Sequence, residues 1–298
     1  MLLEEYKILK DFFNNNIKTM LLSFIKSEEL IQMIMYCLED GKRLRPIIAL
    51  DICNSLTNDL EKGLKFSLAI ELIHNASLII DDLPCMDDDD FRRDKLSFHK
   101  KYSESLAQIV SAEILGIATK LTIESFSKKD LSLILEIVST NLGLLGAASG
   151  QLVDVTPLDV HKNKKEIIKK SKRKDQIKDL INKKTTSFFE IAFLGGFILG
   201  DGNIDLIDKI RELSNNFGLA FQIYDDFDDI EQDNKRNEQK LEDQNFINNF
   251  GKEEAFNEFD ENINLFRRDI KKYNLDSKLM NELCDFLECK VKKKYNNI

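Results

Sequence analysis

The sequence predicts an all-α protein on three observations. Leu and Ile recur at helical spacing through most of the 298 residues, alternating strand-like runs are weak, and only three prolines interrupt the chain. No Gly-, Ser- or Pro-rich tract marks a linker, so residues 1–298 are expected to form a single domain. An apolar share of 43% supplies a sizeable core, and a formal charge of −9 argues against nucleic acid as the general partner.

Residues 1–37 read as helical with an interruption near Asn14, Asn15 and Asn16. Leu30, Ile31, Ile34, Met35 and Leu38 mark a second helix, which Gly41 is expected to end. GKRLRP then places Lys42, Arg43, Arg45 and Pro46 at the start of the next helix. Such a start is either ordinary surface or a dock for a diphosphate, whose oxygens would meet free N–H groups and cationic side chains. From Leu60 to Ile80, Leu64, Leu68, Leu72 and Ala76 form one helical series and Ile73, Ser77 and Ile80 another. His74 precedes Asp81 by about two turns on that helix.

This helix runs into DDLPCMDDDD, Asp81 to Asp90, followed by Phe91, Arg92 and Arg93. Six carboxylates in ten residues repel one another, so the stretch either faces water or holds cations. Oxygen-only donors suit a hard metal such as Mg²⁺, which usually meets one or two carboxylates and leaves its other positions to water and phosphate. Pro84 cannot sit inside a regular helix, and a local break there is expected to return Asp87 to the face of Asp81. A second acidic stretch, DDFDD, spans Asp225 to Asp229. Asp225 and Asp229 share a helix face, with Gln222 one turn upstream.

Between the two acidic stretches, helices are expected over Ser105–Phe126 and Leu131–Leu145. Gly143, Gly146 and Gly150, with Ala147, Ala148 and Ser149 among them, suit a tight helix crossing or room for an apolar tail. His161–Lys178 carries nine Lys or Arg residues against Glu166 and Asp175, a local balance of +7. Lacking interleaved aromatics and a sustained apolar face, it reads as solvated loop and helix surface rather than a nucleic-acid or membrane site. Lys184 and Thr185 offer a phosphate an ammonium and a hydroxyl, without the glycines of a P-loop. Ile191 to Leu199 reads as the longest strongly apolar stretch, too short to cross a membrane, with Gly195 and Gly196 admitting a close neighbour. Lys235 and Lys240 add cations after the second acidic stretch, while Phe256, Phe259, Leu265 and Phe266 indicate packing. Five scattered cysteines without a CxxC pair suggest reduced thiols, and the N-terminal residues lack a secretion signal, so a cytoplasmic protein is expected.

In order, GKRLRP, ELIHNASLIIDDLPCMDDDDFRR, GLLGAASGQLVD, KKTTSFF and GLAFQIYDDFDD resemble the trans-type short-chain polyprenyl diphosphate synthases, geranylgeranyl diphosphate synthases above all. The resemblance implies an isoprenoid synthase helix bundle around a deep central cavity, with the acidic motifs facing across its mouth, commonly as a homodimer. It also implies head-to-tail condensation of isopentenyl diphosphate with dimethylallyl, geranyl or farnesyl diphosphate, with three Mg²⁺ ions engaged. Residue by residue, it assigns Lys42, Arg45, His74 and Arg93 to isopentenyl diphosphate, and Arg92, Lys184, Thr185 and Gln222 to the allylic diphosphate or its metal shell. Lys235 and Lys240 are the nearest counterparts of two later family lysines. Asp81, Asp87 and Asp225 correspond to metal ligands. Asp82, Asp226 and Asp229 complete the catalytic acidic set, which acts with Arg92 and Lys184.

Three positions depart from the family pattern. Asp94 stands where glycine is usual, SAEILG around Glu113 replaces a Gly-Asp-Ala stretch, and Asn182 stands where histidine is common. They keep open a rival in which the chain is a noncatalytic regulatory subunit. Ala76 and Ser77 precede Asp81 by five and four residues, about 6 to 8 Å along the helix, where the resemblance places the tunnel for the growing chain. Their small side chains favour a twenty-carbon geranylgeranyl product, with farnesyl diphosphate second.

Overall fold

The computed structural model describes residues 3–143, 145–155, 170–228 and 245–297. Its helices begin with α1 (Glu4–Phe24), α2 (Glu28–Leu38), α3 (Leu44–Thr57) and α4 (Leu60–Asp81). A hairpin of β1 (Phe91–Arg92) and β2 (Lys95–Leu96) precedes α5 (Phe98–Lys101), α6 (Glu104–Ser125), α7 (Lys128–Leu142) and α8 (Ala147–Val155). Then come α9 (Lys170–Ile181), α10 (Ser187–Leu199), α11 (Ile207–Asp228), α12 (Phe246–Phe250), α13 (Lys252–Lys272) and α14 (Lys278–Asn297). The chain divides into two compact units, one of Glu4–Ile137 with Ala192–Ile204, the other of Met1–Leu3, Val138–Ile191 and Asp205–Ile298.

In the first unit, α1 runs straight through the three asparagines where an interruption was expected. Leu9, Phe13, Ile17 and Leu21 form a buried i, i+4 stripe that holds the helix together. The amides find partners without breaking it: Asn16 donates to the Phe12 carbonyl at 2.9 Å, and Asn14 accepts from Arg43 Nε at 3.1 Å. The break falls later, where the Ser27 hydroxyl caps α2 by accepting from the Leu30 N–H at 3.2 Å. At the far end of α2 the left-handed position belongs to Asp40, with φ 57°, and not to Gly41 as expected. Gly41 is needed for a different reason, because a Cβ there would overlap the Arg43 guanidinium.

Helix α4 is the centre of this unit. Asp59 caps it by accepting from the N–H groups of Glu61 and Lys62 at 3.0 and 3.2 Å. Beyond the cap, Leu64, Phe66, Ile70, Ile73, Ala76 and Ile79 are buried on all sides of the helix, which packs against α3 and α6. A helix apolar all round belongs in an interior. Gly195 lies against the Phe66 ring and Gly196 against the Ala49 carbonyl, the close approach expected of that pair.

In the second unit, α11 is amphipathic and buries Ile210, Leu213, Phe217, Ile223 and Phe227, packing on α13. The Phe217 ring meets Phe266 at 5.0 Å and Phe189 at 5.1 Å, while Phe256 stacks on Tyr295 at 4.5 Å. The basic run up to residue 169 lies outside the described residues. The remainder, within α9, is not simply solvated: Glu258 is buried, and Lys174 and Lys178 pair with it at 2.9 and 2.5 Å. A buried carboxylate requires such partners, which removes these two lysines from any free basic surface.

Among the described residues, length and composition alone make three spans capable of crossing a membrane: Leu60–Asp81, Glu104–Ser125 and Lys128–Leu152. This corrects the expectation that 191–199 is the longest apolar stretch, because scattered polar residues dilute the hydropathy of these spans without abolishing it. Within Leu60–Asp81, 72% of the apolar window is covered by protein.

Candidate active site

In the first unit, α4 delivers Asp81 as its last residue, and the chain then turns sharply around Pro84. The turn closes through the Leu83 N–H on the Ile80 carbonyl at 3.1 Å, Met86 on Leu83 at 2.8 Å and Asp87 on Asp81 at 2.9 Å. The backbone of Asp87 is thus returned to the end of the helix that carries Asp81, as the proline break suggested. Asp81 is half-buried and Asp87 exposed. Asp82 points the other way: it is buried and accepts from Arg92 Nε at 2.9 Å and from Nη2 of the same guanidinium. Burial pushes the Asp82 carboxyl upward and Arg92 pulls it back. On Arg92 burial acts downward, but Asp82, Asp89 and Asp81 more than reverse it, so this guanidinium is held firmly charged.

Arg92 ends β1, which pairs antiparallel with β2 in the register Phe91 to Leu96 and Arg92 to Lys95. The two turn residues, Arg93 at φ 54° and Asp94 at φ 61°, are both left-handed, as a two-residue type I′ hairpin demands. This accounts for the glycine usual at the second position: Asp tolerates the conformation but does not favour it. Asp94→Gly is expected to raise stability by about 1 kcal/mol, read as a higher Tm with unchanged helicity. A lowered Tm would show that the Asp94 carboxylate contributes more than its backbone costs.

Arg93 is half-buried, and its Nη1 donates to the carbonyls of Cys37 and Glu39 at 3.3 and 3.1 Å. Lys95 clamps the same hairpin to α2, meeting Glu39 at 2.8 Å and lying over the Tyr36 ring at 4.9 Å. The Tyr36 hydroxyl donates in turn to the Leu96 carbonyl at 2.6 Å. His74, on α4, shows what the hairpin is brought to. Its pKa is driven well below the ordinary histidine value by burial and then by Arg45, Arg93, Arg92 and Arg43. Arginines from GKRLRP and from the hairpin therefore converge electrostatically on one neutral imidazole. Lys42 is exposed beside them, and its carbonyl accepts from the Tyr6 hydroxyl.

Sequence reasoning did not find the support beneath this cluster. Arg43 is buried at a left-handed φ of 63°, with Nη1 2.6 Å from Glu71 Oε1 and Nη2 on the Leu38 carbonyl. Asn75 Nδ2 donates to the same Glu71 oxygen at 2.9 Å. The signal was a Glu and an Asn four residues apart in a mostly apolar helix, where each must have a partner if buried.

In the second unit, Lys184 and Thr185 sit in a π-helical turn, Asn182–Thr186, at the mouth of α10. Such turns displace side chains from helical register and recur at functional sites. The Thr185 hydroxyl donates to Gln222 Oε1 at 2.6 Å, and Gln222 Nε2 donates to Asp226 Oδ1 at 3.0 Å. Asp226 Oδ2 accepts the Phe246 N–H at 2.7 Å, beside the Asn245 side chain that caps α12. Gly150 of α8 explains the small-sided stretch locally: a Cβ there would come 2.5 Å from Lys184 Cγ. Asp225 is half-buried, and Asp228, three residues on, lies 3.1 Å from Lys294. Asp229, Lys235 and Lys240 lie outside the described residues.

The two Asp-Asp pairs divide alike. In each, the leading residue, Asp81 or Asp225, keeps some exposure, while the following one, Asp82 or Asp226, is buried and tied to protein donors. Asp226 therefore holds Gln222 of its own helix and ties α11 to the start of α12. Asp81, Asp87 and Asp225 are carboxylates that keep some exposure, and oxygen donors of this kind suit Mg²⁺.

The polyprenyl synthetase family pattern matches residues 27–246, a range that includes both acidic stretches. Farnesyl diphosphate synthase of Bacillus subtilis is 30% identical over 272 residues, covering 87% of this chain and 88% of that protein. Geranylgeranyl pyrophosphate synthase 4 of Arabidopsis thaliana is 32% identical over 190 residues, covering 63% of this chain and 49% of its own length. Among solved structures, geranyltranstransferase from Thermotoga maritima shares the fold with a TM-score of 0.76 at 26% identity, over 97% of this chain and 99% of that one. An FPP/GFPP synthase from Zymomonas mobilis gives 0.77 at 24% identity, over 97% and 100% of the respective chains. The helical architecture is that of the isoprenoid synthases. With the arginines gathered at His74, both acidic motifs in place and the fold shared along its length, the chain belongs to the polyprenyl synthetase family, in the trans-type short-chain branch.

Proposed function

We propose that the chain acts as one catalytic domain that condenses isopentenyl diphosphate with an allylic diphosphate in a Mg²⁺-dependent reaction, and that geranylgeranyl diphosphate is its product. The observation that carries the reading is the convergence of Arg43, Arg45, Arg92 and Arg93 on His74, on the helix that ends in Asp81. Glu71 and Asp82 answer part of this charge through Arg43 and Arg92, and the positive field that remains at the neutral, desolvated imidazole suits an anion with several oxygens. Arg45, Arg93 and His74 bind the diphosphate of isopentenyl diphosphate, with Lys42 at the exposed edge. Arg92 and Lys184 bind the allylic diphosphate and stabilise the negative charge that grows on it as its carbon–oxygen bond breaks. Thr185 and Gln222 keep Asp225 in register through Asp226. Mg²⁺ held by Asp81, Asp87 and Asp225 would supply further neutralisation of the leaving pyrophosphate. The double bond of isopentenyl diphosphate attacks the allylic carbon, and the released pyrophosphate takes up the proton lost, so no aspartate is assigned as a base. A cytoplasmic homodimer is part of this reading.

The product assignment rests on Ala76 and Ser77. Ala76 is buried where α6 crosses α4, its carbonyl accepting from Ser111 Oγ at 3.0 Å, and Ser77 is half-buried. Neither carries a bulky floor. A farnesyl product is the second reading, favoured by the match to farnesyl diphosphate synthase over 88% of its length. Incubation with Mg²⁺, isopentenyl diphosphate and each allylic diphosphate should release pyrophosphate and give a longer prenyl chain. Folded but inactive protein that activates a partner synthase would establish the regulatory subunit instead. Ala76→Phe should shift the product distribution towards farnesyl diphosphate, at an overpacking cost of about 1–3 kcal/mol. Unchanged proportions from well-folded variant would remove Ala76 from the tunnel floor.

A further inference from the structure

We propose a second cation site, separate from Asp81, Asp87 and Asp225, in which Asp88, Asp90 and His99 Nε2 hold a borderline divalent metal such as Zn²⁺, Mn²⁺ or Co²⁺. Among the described residues these three offer donor atoms that all lie within 4.8 Å of one another. Acidic side chains alone would mean little here, since Asp88 and Asp90 are exposed. The histidine makes the difference. His99 is only 7% exposed, and its Nε2 is buried with no hydrogen-bond partner. A buried ring nitrogen without a partner costs free energy that a ligand would recover.

The ring's other nitrogen is already arranged for such a ligand. Nδ1 lies 3.1 Å from the hydroxyl of buried Ser97. With Nδ1–H donating to that hydroxyl, Nε2 carries the lone pair, which is the arrangement found where an outer partner orients a metal-binding histidine. Ser97 is itself fixed, its N–H donating to the Asp90 carbonyl at 2.9 Å. Ligands round a tetrahedral Zn²⁺ stand ~3.3 Å apart, from bond lengths of about 2.0–2.1 Å, so small rotations of the two exposed aspartates close the set. Lys100, 2.8 Å from Asp90 Oδ1, is an exposed competitor that a divalent charge displaces or shares. Two carboxylates and one imidazole favour a borderline cation over Mg²⁺, which prefers oxygen. Occupation would pin the segment just after Asp87 to α5 without using any ligand of the first cation set.

Full-length protein in excess Mg²⁺, which fills the all-oxygen positions, would be titrated with Co²⁺ and followed by its visible absorption and by calorimetry. One equivalent is expected to bind with a nitrogen-ligand spectrum and to resist Mg²⁺. His99→Gln should weaken it at least tenfold, and the double variant Asp88→Asn with Asp90→Asn should do the same. The double variant decides if the buried histidine change impairs folding, because both aspartates are exposed. Failure to retain Co²⁺ against Mg²⁺, or an affinity unchanged in that double variant, overturns the proposal whatever the prenyltransferase assay shows.

Discussion

Asp81→Asn and Asp225→Asn are each expected to lower turnover by roughly 10²–10³-fold, the loss typical when a preorganised group that stabilises developing charge is removed. Asparagine keeps the shape and one oxygen but surrenders the charge that attracts a hard cation. Neither residue is needed for the core. Asp81 closes α4 and Asp225 lies near the end of α11, and both are half-buried. Circular dichroism should therefore match the parent while product formation at limiting Mg²⁺ collapses, with partial recovery at high Mg²⁺. The neighbours supply the contrast. Asp82→Asn and Asp226→Asn strike residues engaged with Arg92 and with the Phe246 N–H, so they should lower stability as well as activity. Near-normal product formation by the Asp81 and Asp225 variants at limiting Mg²⁺ would remove both from the metal set.

Glu71→Ala is expected to lower the unfolding free energy by about 3–5 kcal/mol, the cost of stranding one member of a buried ion pair. Arg43 and Glu71 have side chains 5% and 2% exposed, so water cannot replace the lost partner. Asn75 would lose an acceptor at the same time. The damage should travel, because the Arg43 and Arg93 guanidiniums flank Gly41 together. Chemical denaturation measures the first effect, and the KM for isopentenyl diphosphate the second. A loss below about 1 kcal/mol would put the pair in the class of exposed salt bridges and contradict its burial.

The helices with a continuous apolar series were legible in the sequence, as were both acidic stretches, because periodicity and local charge density are properties of neighbours in the chain. The break at Pro84 was legible for the same reason. What escaped were contacts that join distant segments. Nothing near Asn14 announces that Arg43 will satisfy its amide and leave α1 whole. Nothing near Lys174 announces a buried Glu258, so the basic run read as surface. The split of duties within each Asp-Asp pair depends on Arg92 in one case and Phe246 in the other. Adjacent identical residues cannot reveal which of them faces inward.

The hairpin turn that carries Arg93 bears on how tightly a diphosphate can be gripped. A surface arginine surrenders much of its freedom at the moment of binding, and that entropy is subtracted from its affinity. Arg93 has surrendered its backbone freedom already, locked in a left-handed turn two residues long and braced by the carbonyls of Cys37 and Glu39. In the proposed diphosphate-binding role, its contribution is expected to be weighted towards enthalpy. Lengthening the turn by one glycine would leave every charge in place and still weaken binding, with the loss appearing in calorimetry as a more unfavourable entropy.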